Sequence, residues 1–163
     1  MRDCSWIPGK FPNLAGAGFN IQNDCTSDRT HGHPVKYNCI AWAAGITNEW
    51  WWPWKLGGYT WPKGNGLCFE LPKQETLGNF IAAFRSIGYD ECDNGIAEDG
   101  FEKVAIYVDP QGRPTHAARS IPSGGWTSKL GDCEDIRHPT LESIECITYG
   151  TATAFLKRKI ESA

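Results

Sequence analysis

Tyr37-Asn38-Cys39-Ile40-Ala41-Trp42-Ala43-Ala44-Gly45 reads as a polar cap, a cysteine, a short apolar run and a closing glycine, which describes a thiol at the start of a helix. Unpaired amides and the positive end of the helix dipole favour the thiolate there. Well downstream, Thr115-His116-Ala117-Ala118-Arg119 opens what reads as a β-strand, with the histidine near its start. A helix bearing Cys39 packed on a small antiparallel sheet bearing His116 predicts an α+β domain.

Working outward, Leu77, Phe80, Ile81, Phe84 and Ile87 recur at three- and four-residue steps. That spacing predicts a helix from Gln74 to Ile87, stopped by Gly88. The segment from Asp90 to Gly100 is acidic and turn-rich. Lys103–Val108, Pro114–Ile121 and Trp126–Leu130 are β-branched or aromatic runs separated by Asp109-Pro110-Gln111-Gly112 and Pro122-Ser123-Gly124-Gly125, so they predict a three-stranded meander. Residues 140–147 suggest a helical turn and Thr148–Lys157 a closing strand, with Lys157-Arg158-Lys159 as a solvated basic tail. Residues 1–36, rich in glycine, proline, asparagine and aspartate, predict an irregular wrap around a 37–158 core, the whole of 1–163 forming one domain.

With 163 residues, a net charge of -3 and a pI near 5.8, the chain has no basic field for phosphate backbones, which argues against nucleic acid as a partner. The first residues lack the apolar core of a signal peptide and no run reaches membrane-spanning length, so the expectation is a cytoplasmic protein with no membrane partner, although export by a signal-free machine leaves no such mark. Seven cysteines without a CxxC pair fit a reduced protein with one special thiol better than a disulfide framework.

Cys39 is the expected nucleophile and His116 its base, since an imidazole beside a thiol raises the thiolate fraction on which amide cleavage depends. The orienting third group is expected on the adjacent strand, which nominates Ser128, with Asp135 and His138 from the loop beyond as alternatives. Trp50, Trp51, Trp52, Trp54 and Trp61 crowd one loop and are expected to form a wall of the substrate cleft. Cys25, His31, His33 and Cys39 could be written as a zinc set, but the spacing matches no common finger. Neither a metal nor another cofactor is expected.

Asn38-Cys39-Ile40-Ala41-Trp42-Ala43, Trp50-Trp51-Trp52-Pro53, Pro114-Thr115-His116-Ala117-Ala118-Arg119, and Trp126-Thr127-Ser128-Lys129-Leu130-Gly131 with Asp135-Ile136-Arg137-His138 together resemble a bacterial domain family of unassigned function that looks papain-like, of the NlpC type. The resemblance spans roughly residues 35–158. It implies a papain-like fold and a cysteine-dependent hydrolase cutting an amide, peptide or isopeptide bond of a peptide or protein substrate. Related papain-like sequences have a histidine where this chain has Ser128. The same pair of groups could run deamidation or acyl transfer, and an immunity or carrier protein is a partner that would name the substrate class. The rival from another class is a non-catalytic module holding a peptide or glycan in the tryptophan-rich cleft, with Cys39 in packing.

Overall fold

A computed structural model describes residues 6–23, 37–53, 75–130 and 134–161. Helices α1 (Trp6–Lys10), α2 (Pro12–Ala17), α3 (Cys39–Ala43) and α4 (Leu77–Arg85) accompany strands β1 (Asn20–Asn23), β2 (Asp90–Cys92), β3 (Phe101–Val108), β4 (Pro114–Ser120), β5 (Trp126–Lys129), β6 (Asp135–His138) and β7 (Thr151–Lys159). A 3-10 turn, Leu141–Ile144, links β6 to β7. The seven strands form one antiparallel sheet in the order β1-β6-β5-β4-β3-β7-β2. The α+β class is thus seen, with α3 packing on β4 and β5.

Because side chains alternate across a strand, the sheet carries two cores. On one face Val104, Ile106, Ala117 and Leu156 meet Cys39, Ile40, Phe80 and Phe84 of α3 and α4. On the other, Ala105, Tyr107, Ala118, Trp126 and Ile136 meet Ile7, Phe11 and Leu14 of α1 and α2, together with Leu141, Ile144 and Tyr149.

The predicted 74–87 helix forms as Leu77–Arg85, with the Thr76 side chain accepting from the Asn79 amide as its cap. The meander β3-β4-β5 forms as read. Three expectations change. The N-terminal segment is not wholly irregular: Ile7, Phe11 and Leu14 lie at helical spacing and bury completely, or within 1% of it, under the sheet, and Asn20–Asn23 pairs with β6. Asp135–His138 is a strand, not a loop, because pairing with β5 takes up its backbone. Lys157-Arg158-Lys159 is no solvated tail but the end of β7, where Lys157 pairs with Glu98 at 2.8 Å and Arg158 with Glu102 at 2.5 Å. Among the described residues no helix is long and apolar enough to cross a membrane.

Candidate active site

α3 spans only five residues, too few to hold itself in water. Asn38 does the anchoring. Its Oδ1 accepts from the Ala41 and Trp51 amides, both at 3.1 Å, and its Nδ2 donates to the Trp51 carbonyl at 2.7 Å. The Trp42 indole donates to Thr127 Oγ1 at 3.0 Å, tying the helix to β5. Asn38→Ala strips three buried hydrogen bonds and should lower unfolding stability by about 2–3 kcal/mol, measured by denaturant titration; a loss below about 0.5 kcal/mol would show that the clamp does not matter.

The helix start delivers Cys39 to a split in the sheet. β4 and β5 pair at Arg119–Thr127 and Ser120–Trp126 and then diverge. Beyond that point the Cys39 sulfur lies 4.0 Å from the Thr115 carbonyl oxygen, and the Ala117 amide hydrogen-bonds to it. It therefore contacts the β4 backbone on both sides of His116. Burial pushes the thiol up to about 11, against the pull of the Ala117, Ile40 and Cys39 amides and of the Lys129 charge. The side chain is only 6% exposed, so the resting group is a protonated thiol.

His116 reaches the same split from the opposite face. Along β4, Ala117 and Arg119 point to α3, whereas His116 and Ala118 point to the other core. There the imidazole stacks on Tyr149, centroids 4.2 Å apart, and meets Tyr107 edge-on at 5.3 Å. Its Nε2 is 3.0 Å from Ser128 Oγ, which is 2.8 Å from His138 Nε2, and His138 Nδ1 is 2.8 Å from the Thr140 carbonyl. No hydrogen bond joins the sulfur to the imidazole, whose Nδ1 is buried with no partner among the described residues.

Hydrogen-bond logic sets the protons along this chain. The Thr140 carbonyl only accepts, so His138 carries its proton on Nδ1 and offers Nε2 as an acceptor. Ser128 then donates to His138, and its oxygen accepts from His116 Nε2–H. The lone pair of His116 is left on Nδ1. Both rings are neutral: burial, and the repulsion that a proton on His138 would add, hold His116 well below its ordinary 6.5, and burial pushes His138 down to about 4 against the pull of the Thr140 carbonyl bond.

Of the three candidates for the orienting group, Ser128 touches the imidazole and His138 joins through it. Asp135 lies on the α3 face, where Tyr37 donates to it at 2.6 Å and Lys129 pairs with it at 3.3 Å. The period-two placement of Trp126 and Ser128 against Ile136 and His138 would have revealed the chain had Asp135–His138 been read as a strand; four residues with three charged or polar side chains carry too little pattern for that.

The tryptophan loop splits between packing and residues outside the description. Trp51 is 3% exposed and belongs to the α3 core. Trp52 packs edge-on against Phe80 and bonds Glu75 at 2.8 Å, and Trp50 is half-buried. Trp54 and Trp61 lie outside the described residues, as do Cys25, His31 and His33. Among the described residues no three His, Cys, Asp or Glu side chains gather to hold a metal.

The chain belongs to a domain family of unknown function (DUF7689), matched over residues 27–157. No curated protein and no solved structure matches it.

Proposed function

We propose that this domain is a cysteine-dependent hydrolase of papain-like, NlpC-type design, cleaving an amide, peptide or isopeptide bond through a Cys39 acyl-enzyme. The observation that carries the reading is the buried Nδ1 of His116, which has no hydrogen-bond partner among the described residues, where an unpaired buried acceptor costs about 1–3 kcal/mol, on the strand whose backbone the Cys39 sulfur contacts on both sides of that residue. Nε2 is already committed to Ser128, so Nδ1 is the nitrogen left to take a proton.

In the proposed reaction the thiol and imidazole, both neutral at rest, turn toward each other when substrate binds. The thiol proton passes to Nδ1 as the sulfur attacks the carbonyl carbon and its π pair moves to oxygen. Collapse of that adduct expels the amine, which leaves with the proton from Nδ1. Water then gives a proton to Nδ1 and its oxygen attacks the thioester, releasing the acid and restoring the thiol. Ser128 and His138 hold the ring in the required tautomer and share the positive charge that develops on it. Another acceptor in place of water would give transfer, and a side-chain amide substrate would give deamidation. No cofactor enters these steps.

The low exposure of Cys39 and its raised proton affinity favour a second reading, in which the thiol is packing and the domain binds without catalysis. Iodoacetamide labelling read residue by residue by mass spectrometry separates the two. The hydrolase reading expects Cys39, protonated at rest, to label through openings in which His116 takes its proton, so that His116→Ala slows it by about a hundredfold or more while half-buried Cys92 and Cys146 label as before. Cys39 labelling indifferent to His116→Ala would leave the binding module.

A further inference from the structure

Three direct hydrogen bonds run in series from the core to the end of β6: His116 Nε2 to Ser128 Oγ at 3.0 Å, Ser128 Oγ to His138 Nε2 at 2.8 Å, and His138 Nδ1 to the Thr140 carbonyl at 2.8 Å. His116 and Ser128 are wholly buried and His138 is 2% exposed. The inner end of the series is a ring held by Tyr149 and Tyr107, with its Nδ1 unpaired among the described residues. The outer end, His138, lines a surface groove of about 610 Å³ together with Asn20 and Pro139.

A proton added to Nδ1 of His116 makes an imidazolium with one N–H group bonded to nothing. A proton on His138 makes an imidazolium with both N–H groups bonded, one to the Thr140 carbonyl and one to Ser128. The two states interconvert by one concerted shift: His116 Nε2 passes its proton to Ser128 Oγ while Ser128 passes its own to His138 Nε2. No heavy atom has to move, and the charge goes from the inner ring to the outer one. His116 is then neutral again, protonated on Nδ1 and accepting from Ser128 at Nε2. Were it to keep its proton on Nε2 beside a charged His138, the Ser128 hydrogen would have no acceptor and Nδ1 no donor, leaving two buried groups unsatisfied instead of one.

We propose that His116, Ser128 and His138 form a proton wire, in which a proton taken up at His116 Nδ1 sends its charge through Ser128 to rest on His138. The inference deepens the hydrolase reading, in which the thiol supplies that proton and the shift runs backwards when Nδ1 protonates the departing amine. It makes Ser128 the conduit and His138 a positioning residue that acts through it. The same end state is reached from solvent when His138 is protonated directly. The ionisable groups packed around the two rings are Tyr107 on β3, Tyr149 ahead of β7, and Glu142, Glu145 and Cys146 between β6 and β7, with Arg137 preceding His138 on β6. None of them hydrogen-bonds to either imidazole among the described residues.

The test follows the histidine ring nitrogens of the isotope-labelled full chain by long-range proton–nitrogen NMR between pH 7 and pH 5, with signals assigned through His138→Gln. At pH 7, His116 should carry its proton on Nε2 and none on Nδ1. On acidification His138 Nε2 and His116 Nδ1 should each gain a proton while His116 Nε2 loses one, the three changing together. With His138 held at about 4, about a tenth of the full change is expected by pH 5. Loss of a proton from one nitrogen on adding acid is a response that a merely structural role does not give. Ser128→Ala cuts the wire, and its His116 signals should no longer follow His138. A His116 Nε2 that stays fully protonated down to pH 5 in the parent chain, or coupling that survives in Ser128→Ala, overturns the proposal; if that variant does not fold, the parent titration decides. No thiol chemistry enters this measurement, so its failure is distinct from that of the hydrolase reading, which stands on the response of Cys39 labelling to His116→Ala.

Discussion

Taking the protein from pH 7 to pH 4.5 is expected to remove a large share of its stability. His138, pushed down to about 4, and His116, held well below 6.5, are neutral in the fold because burial penalises their charged forms. Unfolded, the same side chains take up protons once the pH drops below about 6.5. The unfolded chain then binds more protons than the folded one, so the stability these groups contribute is complete above that pH and is lost as the pH falls through the window down to the folded values. The slope approaches about 1.4 kcal/mol per pH unit for each histidine, and His138 alone accounts for about 3 kcal/mol by pH 4. Against a typical total of about 5–15 kcal/mol, the two together decide whether the chain stays folded. Urea titrations at pH 7, 6, 5 and 4.5 test this, with His138→Gln as control, in which the slope should fall by about half. The carboxylates Glu98 and Asp109, held below their ordinary range by Lys157 and Arg113 respectively, lose their contribution only at lower pH. A flat profile between pH 7 and 5 would mean that the imidazoles are not sealed as described.

The second large effect is expected from Gly150→Ala. Gly150 closes the turn between Cys146 and β7, its amide donating to the Cys146 carbonyl at 2.7 Å, with φ at 72°. Alanine is strained in that left-handed conformation. Its methyl would also overlap the Val108 carbonyl oxygen and sit 3.0 Å from Asp109 Cα, so β3 and the turn would have to separate. Both obstacles are backbone, which no rotamer change relieves. A loss of roughly 4 kcal/mol or more is expected. The consequence reaches the site, because the preceding residue, Tyr149, stacks on His116 and accepts from Thr115 Oγ1. The variant should therefore unfold at a lower temperature, and its Cys39 alkylation should no longer respond to His116→Ala. A protein of parental stability would show that the turn sits farther from β3 than described.

Much of the architecture was legible because it depends on local periodicity. The α4 stripe, the meander with its Gly-rich turns and the asparagine-capped start of α3 each declare themselves within a dozen residues. Ile7, Phe11 and Leu14 carried the same kind of signal, hidden among glycine and proline. Asp135–His138 and the far end of β7 did not: their charged side chains look solvated until a partner strand or counter-ion is in place.

The site divides along the same line. By itself the sequence determined that a thiol stands at a capped helix start, that His116 lies on a strand of the adjoining sheet, and that Ser128 follows on the next strand, because caps, turns and alternation act over a few residues. Only the tertiary structure decided that the sulfur and the imidazole lie on opposite faces of one strand, that His138 rather than Asp135 lies behind Ser128, and that Lys129 and Asp135 are sealed together against Tyr37. Those facts depend on register, where a shift of one residue exchanges the two faces of a strand, and register is fixed by pairing between segments that are distant along the chain.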